Sequence, residues 1–155
     1  MSRRRLVAAG AIVAGLLLAG PVAAHGPEPH GGAPTGQPGR PGTPARVVRI
    51  EMAEPMRFIP DRITVRRGET VRFVFSNSDY RDHEFVIGDM AALQAHAEQM
   101  RRHPGMMHRE VNAVTVSPWN EGELLWHFTR PGQVDFACLI PGHFEGGMRG
   151  VVIVE

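Results

Sequence analysis

Short runs of alternating apolar and polar residues, each ended by a turn signal, fill this 155-residue chain from about residue 46 onward. In residues 70–75, for example, Val71, Phe73 and Phe75 share one face, and Asn77-Ser78-Asp79 ends the run. The same pattern predicts strands at 47–52, 62–65, 83–87, 111–116, 124–128, 133–137 and 150–154. Seven or more short strands at this spacing predict an all-β protein, an antiparallel β-sandwich with Greek-key connections.

One segment departs from the β pattern and predicts a short helical insertion. Its apolar residues recur at helical spacing and share one face: Met90, Leu93, Ala97 and Met100. Asp89 is a suitable N-cap, and Pro104-Gly105 would end the helix. The insertion follows the strand that begins at His83.

The N-terminal residues predict export. Residues 1–24 combine a basic start, an uncharged apolar stretch and a small-residue cleavage site, which is the anatomy of a signal peptide directing the chain to the periplasm. An uncleaved membrane anchor is the alternative, but the apolar run is short for a span. Residues 25–45 are rich in Pro and Gly and predict a flexible linker, which leaves 46–155 as the folded domain.

Charge excludes one class of function. Cleavage after Ala24 would remove three of the 17 basic residues and none of the 16 acidic ones, so the mature chain would be slightly acidic. The chain contains no lysine and no basic stripe, so nothing indicates nucleic-acid binding.

The single cysteine begins a run of residues that predicts a metal site. Cys138 is followed by His143 and then Met148, with Gly-containing turns between them, and His83 can supply a second imidazole from an earlier strand. Two imidazoles, a thiolate and a weak axial thioether form the ligand set of copper electron-transfer sites. Singly, each residue has a structural explanation, such as a buried inert cysteine or a core methionine. Together, they predict one copper ion bound by His83, Cys138, His143 and Met148, cycling between Cu(I) and Cu(II).

These runs also resemble a known family. Asn77 through His83-Glu84-Phe85, and 138–143 through Met148-Arg149-Gly150, are similar to the cupredoxins, the small blue-copper proteins that include plastocyanin, azurin and auracyanin. The resemblance implies a Greek-key β-sandwich with type 1 copper at one end. The helical insertion and residues 136–144 resemble periplasmic cupredoxins linked to copper tolerance. Glu84 departs from the pattern, because many members place there an Asn that braces the cysteine loop.

Further histidines and methionines leave an extra copper site open. His96, Met100, His103 and Met107 recur at helical spacing, with Met106 and His108 beside them, and could form a second Cu(I) site. The favoured alternative is that Met100 belongs to the apolar face while His96 and His103 are solvated. His25 would be the new N-terminus after cleavage and could chelate Cu(II), although an incidental tail histidine is favoured.

Two functions are compatible with these residues. The first is a monomeric periplasmic electron carrier, whose redox partner protein docks transiently at the apolar surface near His143. The second is a copper-binding protein that confers tolerance by sequestration or delivery. An enzyme is not expected, since multicopper catalysis needs further copper centres and the chain has room for one domain and only one cysteine. No stable membrane insertion is expected after signal cleavage.

Overall fold

The computed structural model describes residues 36–103 and 110–155. In chain order, the elements of this part are β1 (Gly36–Pro38), β2 (Arg46–Ala53), β3 (Arg57–Ile59), β4 (Arg62–Val65), β5 (Thr70–Asn77), β6 (His83–Gly88), α1 (Met90–Arg102), β7 (Ala113–Val116), β8 (Glu121–Phe128), β9 (Gly132–Ala137) and β10 (Arg149–Val154). The predicted signal peptide lies outside the described residues.

The strands form two five-stranded sheets, in the orders β1-β8-β5-β2-β3 and β4-β10-β9-β6-β7, with side chains from both in one core. This confirms the predicted all-β sandwich with a helical insertion. The expectation of purely antiparallel pairing is wrong, because β2 pairs parallel with β5 and β4 pairs parallel with β10. Between β2 and β5 the chain passes through β4 in the opposite sheet, and this crossover replaces the tight hairpin of an antiparallel neighbour.

The strand β1 lies within residues 25–45, the segment that the sequence predicts to be a flexible linker. Gly36 pairs with Phe128 in β8, and the Gly39 N–H donates to the Leu125 carbonyl at 2.8 Å. Pro38 is tolerated because β1 is an edge strand. Gly36 is required by a close approach, since a Cβ there would lie 2.1 Å from the Trp126 Nε1. The sheet therefore starts before residue 46, inside the Pro- and Gly-rich segment.

An aromatic cluster fills the core beneath one end of β6. The Phe85 ring lies 4.6 Å from Phe75 and 4.9 Å from Phe136 between centroids, with Phe58 and Phe73 also in contact. Because side chains alternate along a strand, His83 shares the inward face of β6 with Phe85. The aromatic cluster thus supports the strand end that presents His83.

The helix α1 covers the outward face of the second sheet. Leu93 packs against Val86, Ala137 and Leu139, which point away from the main core. The predicted N-cap is confirmed, since the Asp89 carboxylate accepts the Ala92 N–H at 2.7 Å. Within the described residues, no helix has the length and apolar character needed to cross a membrane.

Candidate metal centre

Three of the four predicted ligands converge at one end of the sandwich. His83 begins β6, Cys138 directly follows β9, and His143 lies in the loop that leads to β10. The His83 and His143 Nδ1 atoms are 3.2 Å apart, and the Cys138 Sγ is 3.2 Å from the His143 Nδ1. All three donor atoms lie within 4.8 Å of one another, and the residues are buried. Among the described residues, no other group of three or more His, Cys, Asp or Glu meets this spacing.

The loop between β9 and β10 is closed by its own backbone. The Cys138 N–H donates to the Met148 carbonyl and the Met148 N–H donates to the His143 carbonyl, both at 3.0 Å. Met148 is fully buried at the base of this loop. Its backbone is therefore held beside Cys138, and its role as axial ligand stays a prediction.

The strand β3, which the sequence did not predict, holds the ligand loop from outside. The Arg57 guanidinium donates to the Gly146 carbonyl at 3.2 Å. A Cβ on Gly147 would lie 2.2 Å from the Arg57 Nη1, and Gly147 has a positive φ of 101°. Glycine is thus favoured at this turn by its backbone conformation, and a side chain there would also displace the Arg57 guanidinium.

Burial controls the protonation of the donors. Burial raises the pKa of Cys138 to about 12, so the thiol is protonated in the metal-free protein at neutral pH. Burial, followed by the neighbouring His83, lowers the pKa of His143, so its imidazole is neutral and ready to donate a lone pair. A metal must displace the Cys138 proton, which couples binding to proton release. One soft sulfur and two imidazole nitrogens fit a copper ion.

Asp79 belongs to this site, and the sequence reasoning missed it. Its side chain is fully buried, and its Oδ2 lies 3.0 Å from the His83 Nε2. Its Oδ1 accepts the Tyr80 N–H at 2.6 Å. Burial acts to raise the pKa of Asp79, but the hydrogen bonds from His83 and from the Tyr80 backbone outweigh it, so the pKa is lowered. A signal was present, namely an acidic residue four positions before a predicted ligand histidine.

Asn77 builds the turn that carries Asp79 to His83. Its Oδ1 accepts the Asp79 N–H at 2.8 Å, which is the hydrogen bond of an Asx turn. Its Nδ2 donates to the Arg81 carbonyl at 2.7 Å and to the Val116 carbonyl at 2.9 Å. The Asn-Ser-Asp run that ends β5 therefore also shapes the metal site.

Glu84 stands where many family members have an asparagine, but its backbone still contacts Cys138. Its backbone N–H points to the Cys138 Sγ at 3.3 Å, so the bond to sulfur does not depend on the residue type. The side chain leaves by the opposite face of β6 and places its Oε1 3.5 Å from the His96 Nε2. Glu84 thus links the metal-binding strand to α1 instead of bracing the cysteine loop through its side chain.

His96 is buried, so the expectation that it is solvated is wrong. Its Nδ1 lies 3.0 Å from the Glu110 Oε1, and Glu84 approaches from the other side. The hydrogen bond to Glu84 is the largest cause of a raised pKa for His96, with burial opposing it. The helix face that meets the sheet therefore includes a charged contact as well as Leu93.

We expect His96→Gln to destabilise the copper-free protein in a pH-dependent way. The folded pKa of His96 is raised, so its charged contacts are fully present below its unfolded pKa and are lost as the pH rises through the folded value. Loss of hydrogen bonds to charged partners should cost about 2 kcal/mol near pH 5.5. Urea unfolding at several pH values should show a smaller difference from wild type near pH 8.5. A difference that grows with pH would contradict a protonated His96.

The structure brings together no second copper site in the part it describes. His103 is exposed and Met100 is partly buried, while Glu84 and Glu110 engage the ring of His96. The other residues of that hypothesis lie outside the described residues: His25, Met106, Met107 and His108.

The fold and the donors together define a class. A two-sheet β-sandwich presents a buried thiol and two imidazoles between an early strand and a loop near its C-terminus. That combination is typical of small β-sandwich proteins that hold a single metal ion.

Comparison with known proteins identifies the family. Residues 45–155 match the family of copper binding proteins described as plastocyanin/azurin. The chain is 46% identical to the copper-resistant cuproprotein CopI of Rubrivivax gelatinosus, over 99% of this chain and 96% of that protein. It is 33% identical to the protein of the same name from Pseudomonas aeruginosa, over 100% of this chain and 99% of that one. Auracyanin from Roseiflexus castenholzii shares the fold, with a TM-score of 0.60 at 23% identity over 72% of this chain and 98% of that one. The chain belongs to the plastocyanin/azurin family of copper-binding proteins, the cupredoxins.

Proposed function

We propose that His83, Cys138 and His143 bind one copper ion, with Met148 as a weak axial ligand, and that the chain transfers electrons. The observation that carries this proposal is the convergence of one Sγ and two Nδ1 atoms within 4.8 Å. Copper in a mixed sulfur and nitrogen set supplies one-electron exchange between Cu(I) and Cu(II).

The surroundings of the donors support electron transfer. His83 is fixed in a sheet, and the backbone of the ligand loop is closed on itself, so the donors move little when the metal charge changes. His143 is 6% exposed and lies beside the exposed residues Pro141 and Gly142. In this proposal, a redox partner docks there transiently through a small interface, and the chain acts as a monomer.

Copper tolerance is the second candidate, and the two relatives above favour it. Both are named copper-resistant cuproproteins, and each aligns with nearly the whole of this chain. In this alternative, the same site sequesters copper or delivers it. Both candidates place the protein in the periplasm, on the support of the signal-peptide pattern in 1–24. In both candidates the protein is not an enzyme.

Copper stoichiometry and electron exchange separate the two candidates. Purified protein is titrated with copper under competition from a chelator, with optical absorption and bound metal recorded together. Saturation at one copper, with fast electron self-exchange, supports the carrier. Tight uptake beyond one copper supports tolerance by sequestration. The matched control is Cys138→Ser: any copper that this variant binds as tightly as the wild-type protein does must be held at a different site.

A further inference from the structure

Asp79 is a buried carboxylate beside the His83 ring, on the side of the ring opposite to the predicted metal site. The Nδ1 of His83 faces His143 at 3.2 Å, whereas its Nε2 faces the Asp79 Oδ2 at 3.0 Å. The Nε2 therefore carries the ring proton and donates a hydrogen bond to the carboxylate. The Nδ1 lone pair is left free for a metal.

No solvent screens this contact. Both side chains have zero exposed area, so water does not compete for either group. A charge–dipole contact in such a low-dielectric site is stronger than the same contact at the surface. Two further hydrogen bonds, from the Asp79 N–H to Asn77 and from the Tyr80 N–H to the carboxylate, hold the turn around it.

We infer that Asp79 is a positioning residue that acts through His83 to favour Cu(II) over Cu(I). The inference rests on the ligand set of the proposed function. A carboxylate bonded to the outer nitrogen of a ligand histidine fixes the ring and makes its inner nitrogen a stronger donor. A nearby anion also stabilises the more highly charged metal ion. Both effects lower the reduction potential of the centre.

The decisive variant is Asp79→Asn, which removes the charge and nearly preserves the shape. Asn has one oxygen for the two donors that Asp79 accepts, so one of these hydrogen bonds is weakened. We expect the thiolate-to-Cu(II) band to persist, because Cys138 is untouched. The ratio of Cu(II) to Cu(I) affinity should fall about tenfold, which is a rise of about 59 mV in reduction potential for one electron.

The matched control is Asp82→Asn. Asp82 lies in the same loop and immediately precedes His83, but it is exposed. This variant removes the same formal charge without the buried contact, and we expect its affinity ratio to change less than about twofold, since exposed charges are screened. A shift equal to that of Asp79→Asn would overturn the inference in favour of a general effect of loop charge.

Failure of the inference differs from failure of the proposed function. A normal thiolate band in Asp79→Asn, with an affinity ratio unchanged from wild type, would overturn the role of Asp79 and leave the ligand set intact. A missing thiolate band in the wild-type protein would instead reject the ligand set, and this inference with it.

A second measurement covers the case in which Asp79→Asn does not fold. Nitrogen-15 NMR of the histidines in the Cu(I)-loaded wild-type protein should show His83 protonated at Nε2. Its proton should exchange slowly with water because it is buried and bonded to Asp79. Rapid exchange, or a proton on Nδ1, would overturn the inference.

Discussion

Cys138→Ser is expected to abolish the intense thiolate-to-Cu(II) absorption and to weaken copper binding by more than about 100-fold. That loss exceeds the roughly 10–100-fold cost of removing an outer hydrogen-bond partner of a ligand, because the strongest soft donor itself is removed. Cys138 is the only cysteine of the chain, so no other thiol can replace it. Optical titration with Cu(II) and a competition assay with Cu(I) measure the two effects.

The loss must be separated from unfolding. A buried serine hydroxyl at this position still faces the Glu84 N–H, and we expect the copper-free variant to lose about 1–3 kcal/mol of stability while remaining folded. Met148→Leu is the matched control, because it changes another buried residue of the same loop and leaves the thiolate and both imidazoles in place. It should retain the absorption band. Absence of the thiolate-to-Cu(II) band from the wild-type protein would contradict the assignment of the site.

The convergence of His83, Cys138 and His143 was predictable from the sequence because their chemistry is unusual and the spacing of Cys138 and His143 is local. A lone cysteine followed by His143 and Met148 has few uses other than metal binding, and His83 followed from the strand pattern. The structure places His83, Cys138 and His143 together. The helix over Met90–Arg102 was predictable for a similar reason, since its cap and its apolar spacing are both local.

Asp79 and His96 could not be assigned in this way because their surroundings are set by tertiary structure. Judged from the neighbouring sequence alone, Asp79 is an ordinary turn residue. It becomes part of the site because Asn77 holds the turn that brings it against His83. In the sequence, His96 is a polar residue beside the apolar face of α1, and its contacts with Glu84 and Glu110 come from other parts of the fold. The four-residue spacing from Asp79 to His83 is visible in the sequence, but the burial of either polar side chain is not.

The missed strands and the pairing error have a similar origin. The strands β1 and β3 contain three residues each, too few for an alternating pattern to be recognised. Parallel pairing of β2 with β5 depends on a crossover through the other sheet, which no local residue specifies. Alternation predicts which face of a strand is buried, but not which strand lies beside it.

Phe85→Ala is expected to cause the largest loss of stability, about 3–5 kcal/mol in the copper-free protein. The ring is fully buried and contacts the rings of four other phenylalanines, in both sheets of the sandwich. Truncation would leave a cavity that the sheets cannot close without shifting toward each other, and the neighbouring rings would lose their contacts with Phe85. Urea unfolding followed by tryptophan fluorescence measures the difference.

Ile59→Ala is the matched control for Phe85→Ala, since it also truncates a large apolar side chain but at a position that is 54% exposed. It should cost less than about 1 kcal/mol, because little buried area is lost. Equal losses in the two variants would contradict a central role for Phe85.

The same experiment, repeated with copper bound, tests the link to the site: Phe85 lies two residues beyond His83 on the inward face of β6. We therefore expect Phe85→Ala to weaken copper binding and Ile59→Ala to leave it unchanged.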